Sequence, residues 1–351
     1  MQTDRLSPPA TSPLILSNHG EVRTGSICSL PRVITTLGGN PQHVFEAAGV
    51  DLEQFVINRE QRLDVGATSQ LFSFAMQDTR CAHLGILLGQ RFNIKDLGPV
   101  GELMLLASTA QEALQDLVAQ SRLHDRGASP LLLPLSDHLS LLGYVINRHD
   151  LPDPRPVLDT AVMIGYQILR EFLGPHWTPV RVQLAYRTPA DTATYMRAFR
   201  CPVQFNANVS GLVIINHQLN QKLSTASPEA HRLLQEAIAS TTASLTTSEQ
   251  IRYQLHSLLL LGEAKAEQIA SRVDLHIRTL HRRLSAEGTH VQKLITESRR
   301  SLAIQLLTET DLPISAIAES LQYQDPNAFS RAFKTWTGCS PQHWRNASCC
   351  H

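Results

Sequence analysis

Several things are scarce or missing in this chain, and each absence removes a class of function. No long apolar run occurs: residues 130–146 and 255–261 are short or interrupted by Asp137 and His138, so nothing is expected to span a membrane. Cysteine is sparse, six in 351 residues, and the N-terminus carries Asp4 and Arg5 but no apolar signal region. That usage excludes a disulfide scaffold and points to a reducing, cytoplasmic setting. There is no Gly-rich phosphate loop, no G-x-S-x-G elbow and no H-E-x-x-H helix, so an enzyme reading lacks a nucleophile with an identifiable base. Metal chemistry fares no better. Cys349-Cys350-His351 are three adjacent residues that cannot surround an ion tetrahedrally, and Cys81, His83, His124, His138 and His149 show no zinc spacing. No cofactor is expected. Cys201 beside Pro202 has the chemistry of a redox sensor, but a buried thiol is the commoner use.

An excess of charge is missing too, with 31 Lys+Arg against 31 Asp+Glu, yet the balance is uneven along the chain. Residues 250–346 hold 12 basic against 9 acidic groups, and the rest holds 19 against 22. That asymmetry suits a nucleic-acid module joined to a domain that does not bind nucleic acid. The length and the 42% hydrophobic content favour two domains with ordinary cores.

What the chain does have is a repeat. Ile269-Ala270, Leu280, Arg282, Leu284 and Gly288 recur as Ile317-Ala318, Phe329, Arg331, Phe333 and Gly338, offset by 48 to 50 residues. Each copy reads as a short helix (266–273; 314–321), a tight turn and a second helix (277–287; 326–337), the anatomy of a helix-turn-helix. Within each second helix the apolar pair sits four residues apart and forms a buried stripe, so the basic residues fall on other faces. A helix in the major groove needs long polar side chains on its outer face near its N-terminus. The first copy supplies Arg278, His281 and Arg282; the second supplies Asn327, Ser330, Arg331 and Lys334, with Asp325 as cap and Pro326 at the first position. A long helix over 291–308 joins the two copies. If it holds the readers about 34 Å apart, one turn of B-DNA, both enter the same face of the duplex.

Upstream, residues 1–26 are rich in Pro, Ser, Thr and Asn and read as a flexible tail. Residues 27–223 alternate helical patterns with strands. Helices are expected over 41–48 (capped by Asn40), 68–80, 83–92, 100–122, 157–173 and 191–199. Residues 131–135 and 139–147 read as a hairpin whose second strand is apolar on both faces, hence covered, and further strands are expected at 180–186, 203–205 and 212–216. The class is therefore an α+β domain followed by an all-α domain with two helix-turn-helix units. Residues 224–249, with a helical stretch at 228–239 and Ser/Thr clusters, read as the linker, and 347–351 as a second tail. The first helix of the C-terminal domain, 249–261, turns Ile251, Leu255, Leu258 and Leu259 onto the first unit.

Residues 250–346 resemble the DNA-binding domain of the AraC/XylS family of bacterial transcription regulators. The resemblance rests on Ile317-Ala318, on the run Asp325-Pro326-Asn327-Ala328-Phe329-Ser330-Arg331-Ala332-Phe333-Lys334, and on Gly338-Cys339-Ser340-Pro341 with Arg345. Residues 34–223 resemble the "arabinose-binding-type" regulatory domain of one branch, through residues 98–101 and Phe199-Arg200-Cys201-Pro202-Val203-Gln204-Phe205. The resemblance implies a seven-helix reader of double-stranded promoter DNA and an effector-sensing N-terminal domain that often forms a homodimer. It also implies recruitment of RNA polymerase to activate transcription, and base contacts at Arg278, His281, Arg282, Asn327 and Arg331. Two departures stand out. Asp274 and Gln322 occupy turn positions where the family usually has Gly, and His276 replaces the usual Ser cap, which weakens the expected cap by about 1 kcal/mol. The competing reading is a small-molecule-binding or catalytic domain whose helical C-terminus is a protein-interaction module.

Overall fold

The computed structural model describes residues 20–147, 151, 153–242 and 246–348; residues 1–19 and 349–351 of the expected tails lie outside the described residues. Residues 20–26, expected to be tail, belong to the folded domain. Glu21–Arg23 forms β1, and Thr24–Ile27 follows as a 3-10 turn. Arg23 accounts for this: its guanidinium is 3% exposed, pairs with Glu60 and donates to the carbonyl of Asp96. A charge stays that buried only when paired, so it ties a polar segment into the domain.

Three short helices come next, α1 (Leu30–Thr36), α2 (Pro41–Ala47) and α3 (Leu52–Ile57). Asn40 caps α2 as its sequence predicts, accepting from the backbone N–H groups of Gln42 at 3.0 Å and His43 at 3.4 Å. Then β2 (Arg62–Asp64) pairs antiparallel with β1, and α4 (Val65–Thr79) and α5 (Leu84–Gly89) follow. The single helix expected over 100–122 is two. α6 (Pro99–Leu106) stops at Ala107 and α7 (Ala110–Gln120) starts afresh. The apolar spacing runs unbroken through the join. Thr109, however, accepts from Glu112 N at 3.2 Å while the Glu112 carboxylate accepts from Ser108 N at 2.6 Å, and that cap begins a new helix.

The expected hairpin forms as β3 (Ala128–Pro134) and β4 (Leu139–Ile146), followed by α8 (Arg155–Leu173), β5 (Arg181–Gln183), α9 (Ala193–Phe199), β6 (Val203–Gln204) and β7 (Ser210–Ile215). The five strands lie in the order β3-β4-β7-β5-β6, antiparallel except for β5 with β6. This is the α+β domain. Gly85 and Gly89, one turn apart, let α5 lie close on α8: a Cβ there would come within 2.4 Å of the Pro156 carbonyl and 2.6 Å of Met163 Cβ.

The two apolar faces of β4 have separate partners. Leu142, Tyr144 and Ile146 face the helices of their own domain, whereas Leu139, Leu141 and Val145 face the other way, clustered with Leu131, Leu133 and Val213. Leu260 and Leu261 of the C-terminal domain cover that second cluster.

Most of the expected linker is a docked helix, α10 (Pro228–Thr242); residues 243–245 lie outside the described residues. Ile238 is fully buried, and His231 Nε2 stands 2.7 Å from the carboxylate of Asp116 on α7, with both side chains buried. The C-terminal domain is helical: α11 (Thr247–Leu260), α12 (Ala266–Arg272), α13 (Ile277–Ala286), α14 (Val291–Glu309), α15 (Ile314–Ser320), α16 (Pro326–Thr337) and α17 (Pro341–Ser348). α14 serves two cores. Val291, Leu294 and Ile295 pack with Ile251, Leu255, Leu280 and Leu284, whereas Leu302, Leu306 and Leu307 pack with Ile317, Phe329 and Phe333. No helix among the described residues is long and apolar enough to cross a membrane.

Candidate nucleic-acid interface

The two repeats share their turns down to the hydrogen bond. After α12, Asp274 N donates to Ser271 O and Leu275 N to Ala270 O; after α15, Gln322 N donates to Glu319 O and Tyr323 N to Ala318 O. Asp274 (φ 52°) and Gln322 (φ 63°) both take the left-handed conformation that closes such a turn. Glycine is the easy residue there, and its absence leaves strain in each turn.

Both second helices start where the sequence puts them. α13 opens on His276, whose Nδ1 accepts from Arg278 N at 3.3 Å, so an imidazole does the work of the usual hydroxyl. α16 is better held: one Asp325 carboxylate oxygen accepts from Asn327 N and Ala328 N, both at 2.8 Å, with Pro326 at the first position. Inward, Leu280, Leu284, Phe329 and Phe333 are fully buried. Phe333 packs edge-on against Trp344, and Tyr323, beside the second turn, carries the Arg299 guanidinium of α14 over its ring at 5.2 Å. Outward, Arg278, His281, Arg282, Asn327, Arg331 and Lys334 are exposed and Ser330 is half-buried. Among the described residues, none of the side chains of Arg278, Arg282, Arg331 and Lys334 has an ion-pair or hydrogen-bond partner within the chain. Arg283, which the sequence reading passed over, is exposed and unpaired in the same way. Its signal was its place beside Arg282, off the Leu280–Leu284 stripe.

Elsewhere the chemistry is quiet. Among the described residues no group of three His, Cys, Asp or Glu side chains could hold a metal ion. Cys349, Cys350 and His351 lie outside the described residues. Burial pushes the Cys201 thiol up to about 11, so it stays protonated at neutral pH and lacks the thiolate a sensor needs.

Known proteins resemble the chain in both halves. Residues 38–223 match the family model described as "Arabinose-binding domain of AraC transcription regulator, N-term", and residues 269–347 match one described as "Helix-turn-helix domain". The HTH-type transcriptional regulator VirS of Mycobacterium tuberculosis is 26% identical over 268 residues, covering 76% of this chain and 79% of that protein. The ornithine utilization regulator of Pseudomonas aeruginosa is 28% identical over 325 residues, covering 90% of this chain and 93% of its own. The crystal structure of the transcriptional regulator CdpR from Pseudomonas aeruginosa aligns with a TM-score of 0.43 at 20% identity, over 87% of this chain and 96% of that one.

An α+β domain carrying a duplicated helix-turn-helix domain, among relatives of this kind, defines a DNA-binding transcription regulator. The first family match alone takes in more than half of the 351 residues, and the chain belongs to the AraC family of transcription regulators.

Proposed function

We propose that this regulator is an effector-responsive activator that reads two adjacent major grooves of promoter DNA, with α13 in one and α16 in the next. The observation that carries the reading is the pair of outer faces. Arg278, His281 and Arg282 stand on one, and Asn327, Ser330, Arg331 and Lys334 on the other, each helix held from behind by its own apolar core. Long donors of this kind match guanine and adenine edges, and Ser330 and Lys334 suit phosphate. The connecting α14 has 19 residues, about 28 Å at 1.5 Å per residue, which is of the order of one helical turn of B-DNA.

In this reading residues 250–346 bind DNA in the cytoplasm and residues 27–223 bind a small-molecule effector and a second copy of the chain. RNA polymerase is the partner through which activation acts, and no catalytic step is involved. The effector shifts the balance between two arrangements of the protein by contacting them unequally. A gel shift of the full chain on the DNA flanking its own gene, repeated across salt, tests the reading. Sequence-selective binding whose affinity falls linearly on a log–log plot against salt is expected. Binding that is absent, or indifferent to salt, overturns it in favour of a ligand-binding or catalytic domain with a protein-interaction module.

A further inference from the structure

Between α8, α4 and the inner face of the sheet, the N-terminal domain holds a partly open cavity of about 100 Å³. α8 makes the room. Val157, Ala161, Ile164, Gly165 and Ile168 line it as one stripe, and the two small members, Ala161 and Gly165, sit one turn apart. Leu142 and Leu212 close it from β4 and β7. The wall is mostly carbon. Thr68 and Thr160 also line it, but their hydroxyls are spent on the carbonyls of Asp64 and Pro156.

Apart from Ser26, the remaining polar groups gather in one corner. Asp125 N donates to Ser121 O, which brings Ser121, His124 and Asp125 together, and the Tyr144 hydroxyl donates to the Asp125 carboxylate. Asp125 Oδ1 accepts from Gly127 N and Ala128 N, both at 2.8 Å, and Oδ2 accepts from Tyr144, which leaves acceptor capacity on Oδ2 for one more donor. Burial pushes this carboxyl up to about 6, so at neutral pH it is still mostly ionised and accepts strongly.

We infer that this cavity is the effector site, and that its ligand is a small, mainly apolar molecule of single-ring size carrying one hydroxyl or amine that donates to Asp125. The inference rests on the effector-responsive reading above. A sugar does not fit. Its several hydroxyls would meet carbon, and each one buried without a partner costs about tenfold or more in affinity. At about 100 Å³ the cavity is smaller than the roughly 150 Å³ apolar cavity that takes benzene, but its open side lets the far end of a single ring or a short branched chain reach out of it. The site is also placed to act. Leu142 and Tyr144 face the cavity, and their neighbours Leu141 and Val145 on the same strand face the cluster that Leu260 and Leu261 cover, so one layer of sheet separates ligand and DNA-binding domain.

The test uses the full chain, thermal melting and calorimetric titration, with 4-methylphenol, toluene and L-arabinose as probes. 4-Methylphenol should raise the melting temperature and bind about tenfold more tightly than toluene, with L-arabinose inert. Asp125→Asn keeps an acceptor for Gly127 and Ala128 and should bring 4-methylphenol down to the affinity of toluene. Ala161→Phe fills the space and should abolish both shifts; if circular dichroism shows that it does not fold, Ala161→Leu takes its place and should weaken both probes. The inference is overturned if L-arabinose binds, if neither aromatic probe binds, or if a folded Ala161 variant binds both probes as tightly as the parent does. None of these readouts involves DNA. A failed gel shift beside successful probe binding would sink the regulator reading alone.

Discussion

Arg331 lies one turn after Asn327 on α16, exposed and with no side-chain partner among the described residues. Arg331→Ala is expected to cost about 1 to 3 kcal/mol of DNA affinity and to relax preference at a single base pair, as competition gel shifts with single-base operator variants would show. Uniform weakening on all sequences would make it a phosphate contact instead. A different residue governs acid stability. His256 on α11 is buried, neither ring nitrogen has a hydrogen-bond partner among the described residues, and burial pulls its pKa down to about 4 from an ordinary 6.5. The unfolded chain therefore binds this proton first. The neutral ring's full contribution is present above pH 6.5 and is lost as pH falls toward 4, by about 3 kcal/mol in all. Whole-protein melting conceals this, because burial raises Asp159 to about 7 and Asp125 and Glu309 to about 6, and those carboxyls favour the fold as pH drops. The difference between His256→Leu and the parent isolates it: the variant's advantage in urea unfolding should grow between pH 7 and 4. A constant difference would mean that the ring is hydrated.

At the scale of elements, the two turns are strained unequally. Asp tolerates a left-handed backbone better than Gln, so Gln322→Gly should stabilise the domain by about 0.5 to 1 kcal/mol in denaturant unfolding, and Asp274→Gly by less. The Gln322 side chain lies beside Gly262, and a net loss of stability would show that this contact outweighs the strain. The close pair of α5 and α8 gives the opposite sign. Gly85→Ala should cost about 1 to 3 kcal/mol, since its methyl would press on the backbone carbonyl of Pro156; an unchanged melting temperature would mean that α5 can shift away. The elements legible in the sequence were those marked by local chemistry: Asn40 before Pro41, the apolar hairpin around Ser136-Asp137-His138, Asp325 before Pro326, and the repeated stripes of α13 and α16. What escaped depended on distant partners or on a competing signal. β1 is a strand because β2 and the Glu60 carboxylate meet it some forty residues away, and the break between α6 and α7 hid under an apolar period that continues through it. The outward residues of α13 and α16 were legible because each belongs to one helix. The cavity was not, since Ala161 and Gly165 face strands that only the fold brings over them.

For the whole molecule, the decisive feature is how the two domains meet. The cluster on the outer face of the sheet carries Leu260 and Leu261, and Arg126 pairs with Glu249 at 2.7 Å near the start of α11. At the other end of the interface, Arg187 grips the last turn of α14. Its backbone N–H donates to Glu309 O at 2.8 Å, its guanidinium donates to the Thr308 carbonyl and to Asp311 at 2.9 Å, and Asp311 N in turn donates to Asn206. A cation there also meets the negative end of the helix that joins the two helix-turn-helix units, so this contact orients α14, and with it α13 and α16, on the regulatory domain. Both Arg187 and Asp311 are partly open to solvent, which keeps the contribution modest. Arg187→Ala is therefore expected to lower stability by about 1 to 2 kcal/mol while splitting one calorimetric transition into two, as the domains lose their common melting. Binding of a hydrophobic dye at native temperature should rise as Leu131, Leu141 and Val213 become accessible. A single transition with unchanged dye binding would show that the leucine cluster alone holds the domains together and that Arg187 only caps a helix.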